Sequence, residues 1–139
     1  MLTTTLKGHI AQLEVEKRAT EKGCIVSRPV VEARYDLVVD DGTSLYRVQV
    51  KYTAQSNRGA IDIGLRKFGG NKEVGMRMSD VKTYSSDEVD VLAVFSPVTG
   101  KVYWLPIEVF EGKTVVRLRL EPSKNNQKKR VLVASGYEW

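Results

Sequence analysis

The sequence predicts an α/β domain whose centre is a mixed β-sheet flanked by helices. Three observations carry that expectation. A helix-forming run with a stripe of small residues lies near the N-terminus, short strand-like runs follow with turn residues between them, and a second helical run falls among the strands. With 139 residues, 42% of them hydrophobic and 28% charged, the chain has the size and composition of one compact domain spanning residues 1–139.

The run KGHIAQLEVEKRATEKG, residues 7–23, contains no proline, is rich in good helix formers and ends on Gly23 in the position of a C-terminal cap, so it is read as the first helix. Advancing about 100° per residue, Gly8, Ala11, Gln12, Val15 and Ala19 share a stripe small enough to lie close to a sheet, and Leu6, Ile10 and Leu13 fall nearly opposite. Strands are expected at about residues 25–31, 35–40 and 45–53, the last two joined as a hairpin through DDGTS. The polar, glycine-rich AQSNRGAIDIGLRKFGGNKEVG then reads as an excursion from the core with a short strand around Ala60 to Leu65. MSDVKTY is expected to form a short helix capped by Ser79. DVLAVFS and KVYWLPI flank PVTG as a second hairpin, and TVVRLRL and RVLVAS are late strands separated by the basic, apolar-free EPSKNNQKKR.

The first hairpin holds the chemistry. Side chains alternate along a strand, so Arg47, Gln49 and Lys51 project to one face while Tyr46, Val48, Val50 and Tyr52 project to the other. If Asp41 to Ser44 form the turn, Asp40 pairs with Leu45, and counting back sets Asp36 opposite Gln49 and diagonal to Lys51. A tighter turn at Asp41-Gly42 instead opposes Asp36 to Arg47, on the same face. A one-residue slip would place a carboxylate among apolar side chains at a cost of several kcal/mol, so the polar register is expected. Asp40 and Asp41 are then turn residues. A carboxylate and an amide carbonyl are hard oxygen ligands suited to Mg²⁺, and an ammonium beside them can orient a water and stabilise charge developing on a phosphate. The plainer reading is a cross-strand ion pair of Asp36 with Lys51, worth less than about 1 kcal/mol if exposed.

One cysteine and one histidine exclude an internal disulfide and a Cys/His zinc cluster, leaving oxygen ligands for any metal. No apolar run approaches the roughly 18 residues that span a bilayer and no secretory signal is visible, so a cytoplasmic protein is expected. The net charge of +5 favours a polyanion as partner. Arg58, Arg66, Lys67 and Lys72 lie in the excursion at about residues 54–77, and Lys124, Lys128, Lys129 and Arg130 lie in or beside the late loop at about residues 121–131. These positions suit phosphate contacts, while Asn57, Arg66, Asn125, Asn126 and Gln127 have the reach for base edges. Solvated loops would have the same composition.

YDLVVDDG followed by YRVQVKY resembles the signature of the PD-(D/E)XK nuclease superfamily: an Asp, a variable spacer, then (Asp/Glu)-X-Lys. A Lys-Gly helix ahead of it, a Pro before the Tyr-Asp pair in RPVVEARYDLVVDDG, and VDVLAVFSPVTGKVYWLPI after it extend the likeness over roughly residues 7–107. This pattern is similar to the branch of bacterial homing endonucleases encoded in group I introns, especially the cyanobacterial one that targets an initiator tRNA gene. The homing branch uses Gln-X-Lys where the superfamily usually has an acid, which fits Gln49. Relatives tend to carry a Glu on the first helix near Ala11 or Gln12, where Gln12 supplies only an amide. Gln12 also fits an amide bonded to backbone at a helix–sheet boundary.

The resemblance implies a restriction-endonuclease-like core and site-specific hydrolysis of double-stranded DNA with Mg²⁺ or another divalent cation. Asp36 and Gln49 would be the metal ligands, with Lys51 and Gln12 completing the catalytic set and activity lowered if Gln12 stands for a Glu. It further implies a homo-tetramer, with a dimer as second choice. Leu6, Ile10, Leu13 and the aromatic end GYEW accord with such an assembly and equally with packing inside one chain. The alternatives are a junction-resolving nuclease of the same fold and a DNA-binding module with impaired catalysis.

Overall fold

The computed structural model describes residues 1–54, 56–65, 67–68, 81–121 and 131–139. Helix α1 (Thr4–Glu21) is followed by β1 (Ile25–Ser27), β2 (Leu37–Asp40), β3 (Leu45–Tyr52), β4 (Ser56–Asn57), β5 (Ala60–Gly64), β6 (Lys67–Phe68) and β7 (Val81–Lys82). Then come β8 (Val91–Ser96), β9 (Lys101–Pro106), α2 (Ile107–Phe110), β10 (Val115–Arg119), β11 (Leu132–Val133) and a 3-10 turn, Ala134–Tyr137.

α1 starts where Thr3 can cap it, its hydroxyl accepting the Leu6 N–H at 3.2 Å. It stops in a Schellman motif: Gly23 adopts φ +83°, the Gly23 N–H reaches the Thr20 carbonyl and the Cys24 N–H reaches that of Ala19, each at 3.0 Å. The expected boundaries of residues 7–23 therefore shift toward the N-terminus, because Thr3 is the true cap and Gly23 lies outside the helix.

The main sheet has the order β1-β2-β3-β8-β9 and is mixed, since β3 and β8 run parallel and the other pairs antiparallel. α1 covers one face, packing Ala11, Val15 and Ala19 against Leu37, Val48, Val50 and Ala93. A second sheet of order β11-β10-β5-β4 covers the other, with Ile61, Ile63 and Leu118 meeting Leu92, Val94 and Leu105. β8 is buried along its whole length, which explains why its sequence is a continuous apolar run rather than an alternation.

Three expectations are corrected. The strand expected at 25–31 ends at Ser27, because Pro29 has no N–H for the ladder, and Val30 and Val31 stand exposed. The excursion at 54–77 is partly core: Ala60, Ile61, Ile63 and Leu65 are fully buried, so β5 is a central strand of the second sheet. In MSDVKTY, Val81 and Lys82 form β7, pairing with Phe68 and Lys67; cross-strand pairing overrides the local helical preference there, and Ser79 lies outside the described residues. The aromatic end packs inward, Trp139 stacking on Trp104 with ring centroids 4.3 Å apart. No helix among the described residues is long and apolar enough to cross a membrane.

Candidate active site

The hairpin adopts the register counted from its turn. Asp40 pairs with Leu45 and Leu37 with Val48, while the Asp40 carboxylate accepts the Gly42 N–H at 2.8 Å and that of Asp41 accepts Thr43 and Ser44 at 2.9 and 2.8 Å. Both are turn residues. Asp36 extends the ladder by one step: its N–H donates to the Val48 carbonyl at 2.8 Å, and its Oδ2 accepts the Val50 N–H at 2.9 Å. A carboxylate thus replaces a backbone carbonyl at the end of β2, which fixes Asp36 beside Gln49. Among the described residues, no hydrogen bond engages its Oδ1.

Gln49 and Lys51 pair with Leu92 and Val94 of β8 and so face the second sheet, away from α1. Burial lowers the pKa of Lys51 below the ordinary lysine value, and the nearby Asp36 charge offsets part of that shift. The Lys51 Nζ lies 5.9 Å from the centroid of the Tyr84 ring, and the Arg34 guanidinium lies 5.8 Å from the same ring. Burial, reinforced by the Asp36 charge, pushes the Tyr84 hydroxyl well above the ordinary tyrosine range. Arg34 also pairs with Glu88 at 2.6 Å; its Nε and Nη2 are buried with no hydrogen-bond partner among the described residues.

Arg47, on the same strand face, is engaged elsewhere. Its Nε and Nη2 each lie 3.0 Å from the Asp90 carboxylate, and its Nη1 and Nη2 donate to the Asp87 and Ser86 carbonyls at 2.8 and 2.9 Å. It ties β3 to the turn ahead of β8 and leaves the polar face to Gln49 and Lys51.

Gln12 is half-buried on α1, across the sheet from Lys51. α1 runs antiparallel to β3: the Lys7 Nζ is 6.0 Å from the Tyr52 ring at one end, and at the other the Lys22 Nζ is 5.5 Å from Trp139, whose stacking partner Trp104 meets Tyr46 at 5.6 Å. Gln12 lies five residues, about 7.5 Å of helix rise, beyond Lys7, in the half of α1 nearer the Tyr52 end of β3. It shares a helix flank with Glu16, which binds Arg28 through two 2.7 Å hydrogen bonds. The structure brings Asp36, Gln49 and Lys51 together on one face and places Gln12 on α1, which covers the other.

Of the expected DNA contacts, Asn57 and Arg58 stand exposed at the tip of the β4–β5 hairpin, with Arg58 at φ 52° and Gly59 at φ +73°, the positive angles that a two-residue primed turn needs. Lys67 opens β6. Arg66, Lys72, Lys124, Asn125, Asn126, Gln127, Lys128, Lys129 and Arg130 lie outside the described residues.

Sequence reasoning missed Arg34 and Tyr84, which meet around Lys51. Arg34 shares parity with Asp36, a usable signal; Tyr84 carries none, because only the tertiary fold brings it near.

The sequence matches the PD-(D/E)XK endonuclease family over residues 2–139. The chain belongs to that family. Nucleases of this family generally use divalent metal ions. The residues present fit such an ion: Asp36 Oδ1 and the Gln49 amide oxygen are hard donors on one face, and with no cluster of three His, Cys, Asp or Glu side chains among the described residues, substrate and water oxygens would complete the shell. Among solved structures, the bacterial homing endonuclease I-Ssp6803I is 27% identical, with a TM-score of 0.76 over 99% of this chain and 89% of that one. The Holliday junction resolvase Hjc of Archaeoglobus fulgidus is 13% identical, with a TM-score of 0.49 over 81% of this chain and 84% of that one. No curated protein matched the sequence.

Proposed function

We propose that this nuclease is a site-specific homing endonuclease that hydrolyses double-stranded DNA with a divalent metal, Mg²⁺ being the natural candidate. The observation that carries the reading is the Asp36 carboxylate, pinned by the Val50 N–H at 2.9 Å beside Gln49 and the partly buried Lys51. Its support is the 27% identity to a homing endonuclease over nearly the whole chain. The cation, when bound, supplies positive charge at the scissile phosphate. The Asp36 Oδ1 and the Gln49 amide oxygen would hold it, and Lys51 would orient the attacking water and stabilise charge growing on the phosphate, the more strongly for being partly desolvated. Gln12, on the α1 side of β3, is kept as the fourth member on the family resemblance, without the charge that a Glu would add.

Asn57, Arg58, Arg66, Lys67, Lys72 and the basic loop from Lys124 to Arg130 are assigned to the DNA backbone and groove edges. Cutting both strands takes two active sites, so the working unit is a homo-oligomer, a tetramer before a dimer. The exposed Leu6 and Leu13 of α1, 49% and 47% accessible, are available to bury in it. A cytoplasmic bacterial setting accords with this role.

The test incubates the protein and Mg²⁺ with linear DNA carrying the uninterrupted gene of a candidate host and maps the ends. One discrete double-strand cut supports the reading. Cleavage confined to four-way junctions, or none on any duplex, refutes it. Light scattering on the size-exclusion peak measures the assembly, and a monomer at working concentration would refute the oligomer.

A further inference from the structure

The outward face of the β5–β10 ribbon has no part in the site described so far. On β10, Val116 and Leu118 point into the core while Val115 and Arg117 point out; on β5, Ile61 and Ile63 point in while Asp62 and Gly64 point out. Arg117 pairs with Asp62 and Val115 with Gly64 across the two strands. The same Asp62 and Gly64 line an open cleft of about 360 Å³ whose other walls include Lys51 and Lys7. The ribbon face is therefore continuous with the catalytic lysine.

We propose that this face enters the major groove beside the cleaved phosphate and that Arg117 determines sequence there by binding base edges. The inference rests on the endonuclease reading above. A two-stranded ribbon fits a major groove, about 12 Å wide. The Arg117 Nη2 donates to the Asn57 carbonyl at 3.0 Å and its Nη1 lies 3.6 Å from the Asp62 carboxylate, yet 41% of its side chain is exposed. An exposed pair of this kind contributes little to stability; what it does is aim a planar, two-pronged donor, the geometry that guanine O6 and N7 accept. Asp62 also decides between backbone and bases: a carboxylate repels phosphates, whereas among base edges it orients an arginine or accepts a cytosine amino group. Val115, 54% exposed on the same face, offers the apolar contact that a thymine methyl takes. The adjoining turn is held rigid, since the Leu120 and Glu121 N–H groups reach the Gly59 carbonyl at 2.8 and 3.2 Å.

The test selects from a random duplex library with the full chain, using Ca²⁺ to spare bound DNA from cleavage. Wild type is expected to enrich a motif. Both R117A and R117K, the latter keeping charge but losing the fork, are expected to lose about tenfold to hundredfold discrimination at one or two adjacent base pairs and keep the rest. A Cβ at Gly64 meets nothing within 4 Å, so G64Q folds, as its melting curve would verify, and is expected to lose motif binding by occlusion. The proposal is overturned if R117A enriches the full motif, if it weakens all sequences equally with a shallower salt dependence, or if folded G64Q binds as wild type does. Wild type that cuts DNA but enriches no motif overturns the groove assignment and the site specificity of the proposed function, leaving metal-dependent DNA cleavage standing. Wild type that neither binds nor cuts overturns both.

Discussion

Replacing Asp36 separates its role in the fold from its role in chemistry. The Asp36 Oδ2 accepts the Val50 N–H at 2.9 Å in a part-buried position, a charge-assisted hydrogen bond. In D36N the amide oxygen still accepts that N–H, so the change is from a charged to a neutral acceptor and costs about 1 kcal/mol. In D36A the N–H of a central strand has no acceptor, which adds about 1–3 kcal/mol. At this chain length each kcal/mol moves Tm by roughly 3–5 °C, so D36A should melt roughly 3–15 °C below D36N. Thermal unfolding followed by the fluorescence of Trp104 and Trp139, both packed against the α1 core, measures the difference. Both variants should lack cleavage. Equal stability of D36A and D36N would refute the reasoning, because the carboxylate would then not be holding Val50.

Three further outcomes follow from the same geometry. Burial holds the pKa of Lys51 below its unfolded value, so the charged form costs stability wherever the folded lysine is protonated; K51M should raise Tm at pH 7 while abolishing cleavage, and the gain should fade as pH rises through the folded pKa toward about 10.5. The Arg47 hydrogen bond is the main cause lowering the pKa of Asp90, so R47M should lose about 2 kcal/mol at pH 7, discounted for a pair about one-third exposed. That gap should narrow as acid titrates Asp90 below about pH 4, the bonds to the Ser86 and Asp87 carbonyls keeping the remainder; a gap that acid leaves unchanged would count against the pairing. Q12E should raise Mg²⁺-dependent cleavage about tenfold or more by supplying the acid that relatives tend to carry on the first helix; unchanged or lower cleavage of the specific duplex would remove Gln12 from the site.

The hairpin could be read from sequence because its rules are local. Turn counting set Asp40 against Leu45, and the period of two then put Asp36, Gln49 and Lys51 on one face, as the structure has them. The second sheet could not be read that way: β5 pairs with β10 through Ile61 and Leu118, partners far apart in the chain that no local pattern links. AIDIG therefore read as part of a polar excursion, although its apolar residues are core, and Arg117 passed as an ordinary strand residue. The same holds for Tyr84, which meets Lys51 only because the chain returns to the main sheet just before β8. Gln12 is intermediate: its helix and stripe were plain, but its level along β3 depends on the antiparallel docking of α1, set by Lys7 at Tyr52 and Lys22 at Trp139.

The most direct measurement of the central claim is single-turnover cleavage of plasmid DNA bearing the mapped target by wild type and by folded D36N, with Mg²⁺ and with EDTA. Asp36, Gln49 and Lys51 acting as one metal-dependent site require discrete cutting by wild type with Mg²⁺ only, and at least a thousandfold loss in D36N, about 4 kcal/mol of transition-state stabilisation. Cutting by D36N at a rate near wild type, or by wild type in EDTA, would contradict the account.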